Sequence, residues 1–365
     1  MSALELFADV EGIPQDDGPR PVCGIHYPEE YRRLMEKFRA VMARDETSSR
    51  VLDLTADLLE FNAAHYTVWY YRRRVLDALE DAELYRSELE YAAVATSNNP
   101  KNYQVWYHRR AMLEKTQDAA DELEFVAMML EQDAKNYHAW SHRLWALQTF
   151  PFDYEAELAY ADKLLTEDVL NNSAWNHRQN VVRFRDVTPA VAQREVAYAV
   201  EKAFLRLTNE SPWTYALAFA RRDEGAFDRL SRACDAVLDD EPPVSVDERT
   251  CARVTRLELL ADRGRFHEAA DCADTLANTE DAFRVRYWTR RAFRLRQQSG
   301  SFAFPSTRHS FPAWAPPGVF PFGPPPDMPP APPPDYQHPL DPPTPDDLRR
   351  RRGVPDEPAT PPTEA

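Results

Sequence analysis

The chain has 365 residues, a formal net charge of −16 and only 9 glycines against 31 prolines, 21 of which fall at or after Pro305. That length exceeds one ordinary compact core, so two domains or one elongated array are expected, and the region before Pro305 is poor in helix breakers, as a mostly helical body should be. The acidic balance excludes a binder that neutralises nucleic-acid phosphates, and Cys23, Cys234, Cys251 and Cys272 lack the spacing of a zinc site in this chain.

The first residues, Met1-Ser2-Ala3-Leu4-Glu5-Leu6, lack the basic and apolar regions of a secretory signal. No apolar run approaches the roughly 20 residues that a membrane span requires, which points to a cytoplasmic protein. Residues 1–27, rich in Asp, Gly and Pro, read as an unstructured leader. Helical periodicity then runs from about Glu29 to Gln298, so residues 28–298 read as one helical-repeat domain.

Within that domain a tryptophan is followed three residues later by an arginine four times: Trp69 and Arg72, Trp106 and Arg109, Trp140 and Arg143, Trp175 and Arg178. A fifth copy, from Asn209 to Trp213, has Ala216 in place of the arginine. Successive tryptophans stand 37, 34, 35 and 38 positions apart. A period in that range marks stacked helical hairpins, because one hairpin cannot bury its apolar face alone.

Seventeen positions before each tryptophan stands Leu52, Leu89, Leu123, Leu158 or Val196, and four copies carry a glutamate just before it (Glu88, Glu122, Glu157, Glu195). This constancy holds the two helices of a hairpin in one register. In the third copy Leu123, Val126, Ala127 and Leu130 form an amphipathic stripe, and a new helix is expected around Lys135. In the second copy Asn98-Asn99 is expected to cap a helix with Pro100 at its first position. The recurring tryptophan and arginine read as architectural, with the arginine either stacking on the indole or meeting one of the glutamates.

After Trp213 the motif fades, but Glu258-Leu259-Leu260 and Tyr287-Trp288 suggest two divergent hairpins ending near Arg296. Residues 299–365 read as a disordered, proline-rich tail that favours polyproline II, either a ligand for SH3- or WW-type domains or a solubilising appendage. The Arg349–Arg352 run reads as a solvated charge block. The fold class is therefore all-α: an alpha-alpha superhelix of helical hairpins followed by this tail.

Lys101 is the first residue whose chemistry calls for a ligand. Following Asn99-Pro100, it is expected in the first turn of a helix, where a cation opposes the dipole unless an anion such as a phosphate is nearby. Lys135-Asn136-Tyr137-His138 repeats the pattern one hairpin on. If both turns share an edge, their tyrosines and histidine form a polar, aromatic ledge beside Lys101. P-loop, GxSxG, HExxH and GxGxxG signatures are absent.

The segments Asn99-Pro100-Lys101-Asn102-Tyr103-Gln104-Val105-Trp106 and Asp133-Ala134-Lys135-Asn136-Tyr137-His138-Ala139-Trp140 closely resemble the alpha subunit shared by protein farnesyltransferase and protein geranylgeranyltransferase type I. The resemblance covers about Tyr27 to Gln298. It implies a crescent of hairpins around a separate beta subunit, which holds the zinc and most of the isoprenoid pocket, with magnesium accompanying the diphosphate in farnesyl transfer. The implied reaction moves a farnesyl or geranylgeranyl group from its diphosphate to a cysteine of a CaaX protein. By position, Lys101 resembles the lysine that contacts the diphosphate. Tyr103, Asn136, Tyr137 and His138 match residues lining the same mouth, Gln104 matches the glutamine for the peptide carboxylate, and Tyr66 matches a tyrosine near the peptide. His65 and Tyr70 stand where the family often has Asn and His, and the proline-rich stretch trails the chain instead of leading it. The alternatives are the alpha subunit of Rab geranylgeranyltransferase and a non-catalytic scaffold of tetratricopeptide type, although the Trp-x-x-Leu-Gly pattern of the latter is missing.

Overall fold

The computed structural model describes residues 2–19, 23–239 and 245–299, all within one compact unit, Met1–Ala303. The expected proline-rich tail, apart from Ser299, lies outside the described residues. Among the described residues every regular element is helical. A short helix α1 (Ala3–Leu6) and a longer α2 (Glu29–Arg44) precede seven antiparallel hairpins. These are α3 (Arg50–Phe61) with α4 (Tyr66–Leu79), α5 (Ala82–Asn98) with α6 (Tyr103–Thr116), and α7 (Glu122–Gln132) with α8 (Tyr137–Thr149). Then follow α9 (Tyr154–Glu167) with α10 (Asn172–Val182), α11 (Pro189–Leu205) with α12 (Glu210–Ala220), and α13 (Glu224–Leu238) with α14 (Val246–Asp262). The last pairs α15 (Phe266–Thr275) with α16 (Val285–Gln298) through a π turn, Leu276–Glu280, and a 3-10 turn, Ala282–Arg284. These last two hairpins answer the two divergent ones expected after Trp213.

Each second helix of the central hairpins starts on an asparagine. Asn102, Asn136, Asn171 and Asn209 accept the backbone N–H two residues on, satisfying a donor that the helix itself leaves free. The helix of the second hairpin therefore begins at Tyr103 and not at Pro100. Asn99 instead closes α5, and Pro100 lies in the turn, where its carbonyl accepts the Trp106 indole N–H at 2.9 Å. The other four repeat tryptophans make the same bond to the carbonyl six residues back, at Ala63, Ala134, Val169 and Leu207.

The hairpins are joined through the glutamates. Arg72 donates to both oxygens of Glu88, at 2.6 and 2.7 Å, and His108 Nε2 donates to the same carboxylate at 2.6 Å. Arg109 and His142 do the same at Glu122, and Arg143 and His177 at Glu157. At Glu195 the partners are Arg178 and the Tyr215 hydroxyl, with Arg194 of the same helix adding a further bond at 2.9 Å. In every case the two-pronged arginine comes from one hairpin and the glutamate and its second partner from the next. All four glutamates are buried. Each arginine also lies over the ring three residues past its glutamate, Tyr91, Phe125, Tyr160 or Tyr198, at 3.7 to 4.3 Å. The arginine thus meets the acid and stacks on a neighbouring hairpin's ring, not on its own indole. The indole instead tilts against the next hairpin's histidine, as Trp69 does on His108 at 4.6 Å. In register with His108, the first copy carries Tyr71 and not Tyr70; its hydroxyl donates to the Glu46 carbonyl at 3.0 Å, while Tyr70 is exposed.

The first residues depart from the expected unstructured leader. Ala3, Phe7 and Val10 are buried against the first helices, and Arg50 lies 4.3 Å from the Phe7 ring while donating to the Leu6 carbonyl. The Ile13 N–H donates to the Glu36 carbonyl, and a Cβ at Gly12 would meet Glu36 Cβ at 2.9 Å, so the segment lies flat on α2. An array of hairpins has an open end that needs covering, and three apolar side chains, too few to show a period, supply the cover. Phe7→Ala is expected to lower stability by about 3 kcal/mol or more in denaturant titration, whereas a loose leader would give no change.

The clamps carry two further expectations. Glu122→Ala strands Arg109 and His142 in the core and should cost about 3–5 kcal/mol in denaturant unfolding. Burial pushes Glu88 upward, but the hydrogen bonds from His108 and Arg72 outweigh it and hold it at about 2; Glu122 and Glu157 are lowered on the same balance. Burial likewise lowers His108 and His177, more than their carboxylates raise them. His108 Nδ1 is buried without a partner, so a second proton there would be unpaired. The unfolded chain therefore takes up protons that the folded chain refuses, starting near 6.5 for the histidines and 4.5 for the carboxylates. The melting temperature should be full above pH 6.5 and fall steadily as the pH drops to 5. His108→Gln should flatten part of that slope.

Candidate functional site

The turn before α6 and the turn before α8 are neighbours, and the bonds between them are specific. The Asn136 side chain donates to the Pro100 carbonyl at 3.0 Å, and the same amide accepts the His138 and Ala139 N–H groups. The Lys101 backbone is hydrogen-bonded by the His138 imidazole, whose ring stands edge-on to Tyr103 at 4.5 Å. Tyr137 approaches the same imidazole at 5.6 Å. Lys101, Tyr103, Gln104, Tyr137 and His138 are thereby gathered on one edge of two hairpins. Tyr66 opens α4 one hairpin earlier, at the same position relative to its tryptophan, and is equally exposed (70 %, against 70 % for Tyr103 and 72 % for Tyr137).

Two expectations need correction. Lys101 is not in the first turn of a helix: Asn102 is the cap, so Lys101 precedes it. The negative group beside it is Asp133, the last-turn cap of α7, at 3.4 Å, and the lysine side chain is otherwise open to solvent (77 % exposed). Asn136, expected to line the mouth, is 3 % exposed with its amide committed to the cap and to Pro100. It holds the two turns together and has no free polar atom for a ligand.

Burial lowers the pKa of His138, and its bond to the Lys101 backbone offsets only part of that. Gln104 is half-buried at the start of α6, its backbone N–H held by Asn102. Lys135 repeats Lys101 one hairpin on, 3.8 Å from Asp168. The edge therefore carries two salt-bridged, exposed ammonium groups beside phenol hydroxyls, a surface suited to a multiply charged oxyanion. Asp133 and the exposed Tyr107, one turn from Tyr103 on the same helix face, were missed from the sequence. The i, i+4 spacing of Tyr103 and Tyr107 was the available signal. No group of three or more His, Cys, Asp or Glu side chains that could hold a metal ion occurs among the described residues.

The hairpins and their edge define a class. Residues 48–79, 85–116, 119–150 and 154–185 each match the protein prenyltransferase alpha subunit repeat. Over 317 residues the chain is 41 % identical to the protein farnesyltransferase/geranylgeranyltransferase type-1 subunit alpha of Solanum lycopersicum, covering 80 % of this chain and 90 % of that one. The relative of the same name from Dictyostelium discoideum is 43 % identical over 84 residues, 23 % of this chain and about a quarter (26 %) of its own length. A solved structure, Candida albicans protein geranylgeranyltransferase-I complexed with GGPP, superposes with a TM-score of 0.68 at 27 % identity, over 79 % of this chain and 98 % of that chain. The chain belongs to the family of alpha subunits shared by protein farnesyltransferase and protein geranylgeranyltransferase type I.

Proposed function

We infer that this chain works as the alpha half of a heterodimeric CaaX protein prenyltransferase, transferring farnesyl or geranylgeranyl from its diphosphate to a cysteine of a target protein. The observation that carries the reading is the edge on which Lys101, Tyr103, Tyr137 and His138 meet, in a chain of this family. In the transfer the carbon–oxygen bond to diphosphate breaks as the carbon–sulfur bond forms, and negative charge grows on the departing diphosphate. A flexible ammonium at Lys101, released from Asp133 by the more highly charged ligand, stabilises that charge. The Tyr103 and Tyr137 hydroxyls donate beside it.

His138 lies beside the Lys101 backbone and edge-on to Tyr103, and we assign it a positioning role for the lysine's turn. Gln104 places the carboxylate end of the peptide, and Tyr66 borders the peptide one hairpin away. The zinc that this chemistry uses to hold the cysteine as thiolate is assigned to the companion beta subunit, with magnesium accompanying the diphosphate. No described helix is long and apolar enough to cross a membrane.

The test is zinc-dependent prenyl transfer to a CaaX peptide by this chain co-purified with a farnesyltransferase beta subunit, beside each chain alone. Activity is expected in the pair only. Lys101→Ala should assemble normally and lower kcat by roughly 10- to 100-fold with little change in peptide KM. Full turnover by that variant would remove Lys101 from the chemistry, and activity of either chain alone would overturn the heterodimer.

A further inference from the structure

Arg72 and Arg73 are neighbours with opposite surroundings. Arg72 is saturated by Glu88, Thr55 and the Leu52 carbonyl. Arg73 is half-buried, yet among the described residues it has neither a carboxylate within ion-pair distance nor a hydrogen bond, and its Nη1 is sealed from solvent without a partner. The other half-buried or buried arginines in the described chain all donate to a carboxylate or a carbonyl. The one acid near it, Asp77, is taken by Lys115 at 2.7 Å. A guanidinium in this position keeps most of the cost of desolvation with none of the compensation, so the isolated chain leaves it incomplete.

Its position says which way it is open. Tyr66, Tyr70 and Arg73 follow one another at i, i+4 and i+7 along α4, and the two tyrosines are exposed. Arg73 lies 4.8 Å over the ring of Tyr107, itself exposed on α6. The guanidinium is thus held flat by one aromatic face beside a surface of phenols that no part of the described chain covers. Seven residues beyond Tyr66, it stands about 10 Å along α4 from that tyrosine, which opens the helix in register with Tyr103. It therefore lies on the helix faces behind the edge, where a surface packing over those faces meets it.

We propose that Arg73, flanked by Tyr70 and Tyr107, is a docking point for a buried aspartate or glutamate side chain of the companion subunit. The inference rests on the heterodimer reading above. The Nε and Nη2 side of the guanidinium, which is not sealed, matches a carboxylate with two parallel N–H···O bonds, and the tyrosine under it pre-orders the fork before the partner arrives. Formation of this pair gives Arg73 in the heterodimer the carboxylate that each clamp arginine finds inside the chain.

The test compares Arg73→Gln and Arg73→Lys with the unaltered chain in binding to a purified farnesyltransferase beta subunit, with thermal unfolding of each free chain and peptide KM of each pair measured in parallel. Arg73→Gln is expected to raise the dissociation constant about 30-fold or more through faster dissociation, while the free chain melts no lower than the unaltered one. Arg73→Lys, with a point charge and no fork, should recover only part of the loss. Unchanged binding by Arg73→Gln would overturn the proposal, as would a lowered melting temperature of the free chain without weaker binding. A rise in peptide KM with intact assembly would give Arg73 to the substrate carboxylate instead. If the unaltered chain itself fails to bind, the heterodimer reading falls first, and this proposal with it; a normal unaltered pair with an unaffected variant removes this proposal alone.

Discussion

A buried carboxylate that serves two hairpins at once is the interaction on which this molecule depends. Glu88, Glu122 and Glu157 each accept a two-pronged arginine from the preceding hairpin and a histidine from their own, and Glu195 substitutes a tyrosine for the histidine. None of these groups is stable in the core without the others, because an ion removed from water must find its full set of partners. Apolar contact alone would let one hairpin slide along the next. Three charge-assisted bonds to one carboxylate allow a single offset, and the same offset then recurs down the array.

The repeated offset is what aligns the edge. Where hairpins are held in one register, the carbonyls of Pro100, Ala134 and Val169 each accept both the tryptophan of their own hairpin and the asparagine of the following one. The turns are thereby stacked, and the residue that opens each second helix projects outward beside its counterpart. The scaffold repeats, but the chemistry does not. Five positions before the tryptophans stand Ala64, Lys101, Lys135, Leu170 and Thr208, so only two adjacent turns bring an ammonium group to the edge. Function lies in the positions at which otherwise similar hairpins differ.

The two kinds of arginine show how one residue type can serve inside the chain and at its surface. Those three positions after each tryptophan are saturated by the next hairpin. Arg73, one position further round the helix, is turned by about 100° onto the face lined with tyrosines, where the chain provides a ring but no acid. The rotation separates a group that holds the array together from one that the array leaves open.

Much of this was legible in the sequence, because its signals are local. A tryptophan returning every 34 to 38 residues and, in four of the five copies, a glutamate 18 positions before it determine helical hairpins in a single register, and the spacing of apolar residues determines which face is buried. The placement of Lys101, Tyr103, Gln104, Tyr137 and His138 on one edge followed from that period, provided neighbouring turns stack. Other features depended on contacts between segments far apart in the chain. Only the tertiary structure showed that each arginine binds the glutamate of the following hairpin, that Asn136 spends its amide on Pro100, that Asp133 stands beside Lys101, and that Phe7 closes the open end of the array. Periodicity records what a helix must bury; it does not record which distant donor or acceptor will be there to meet it.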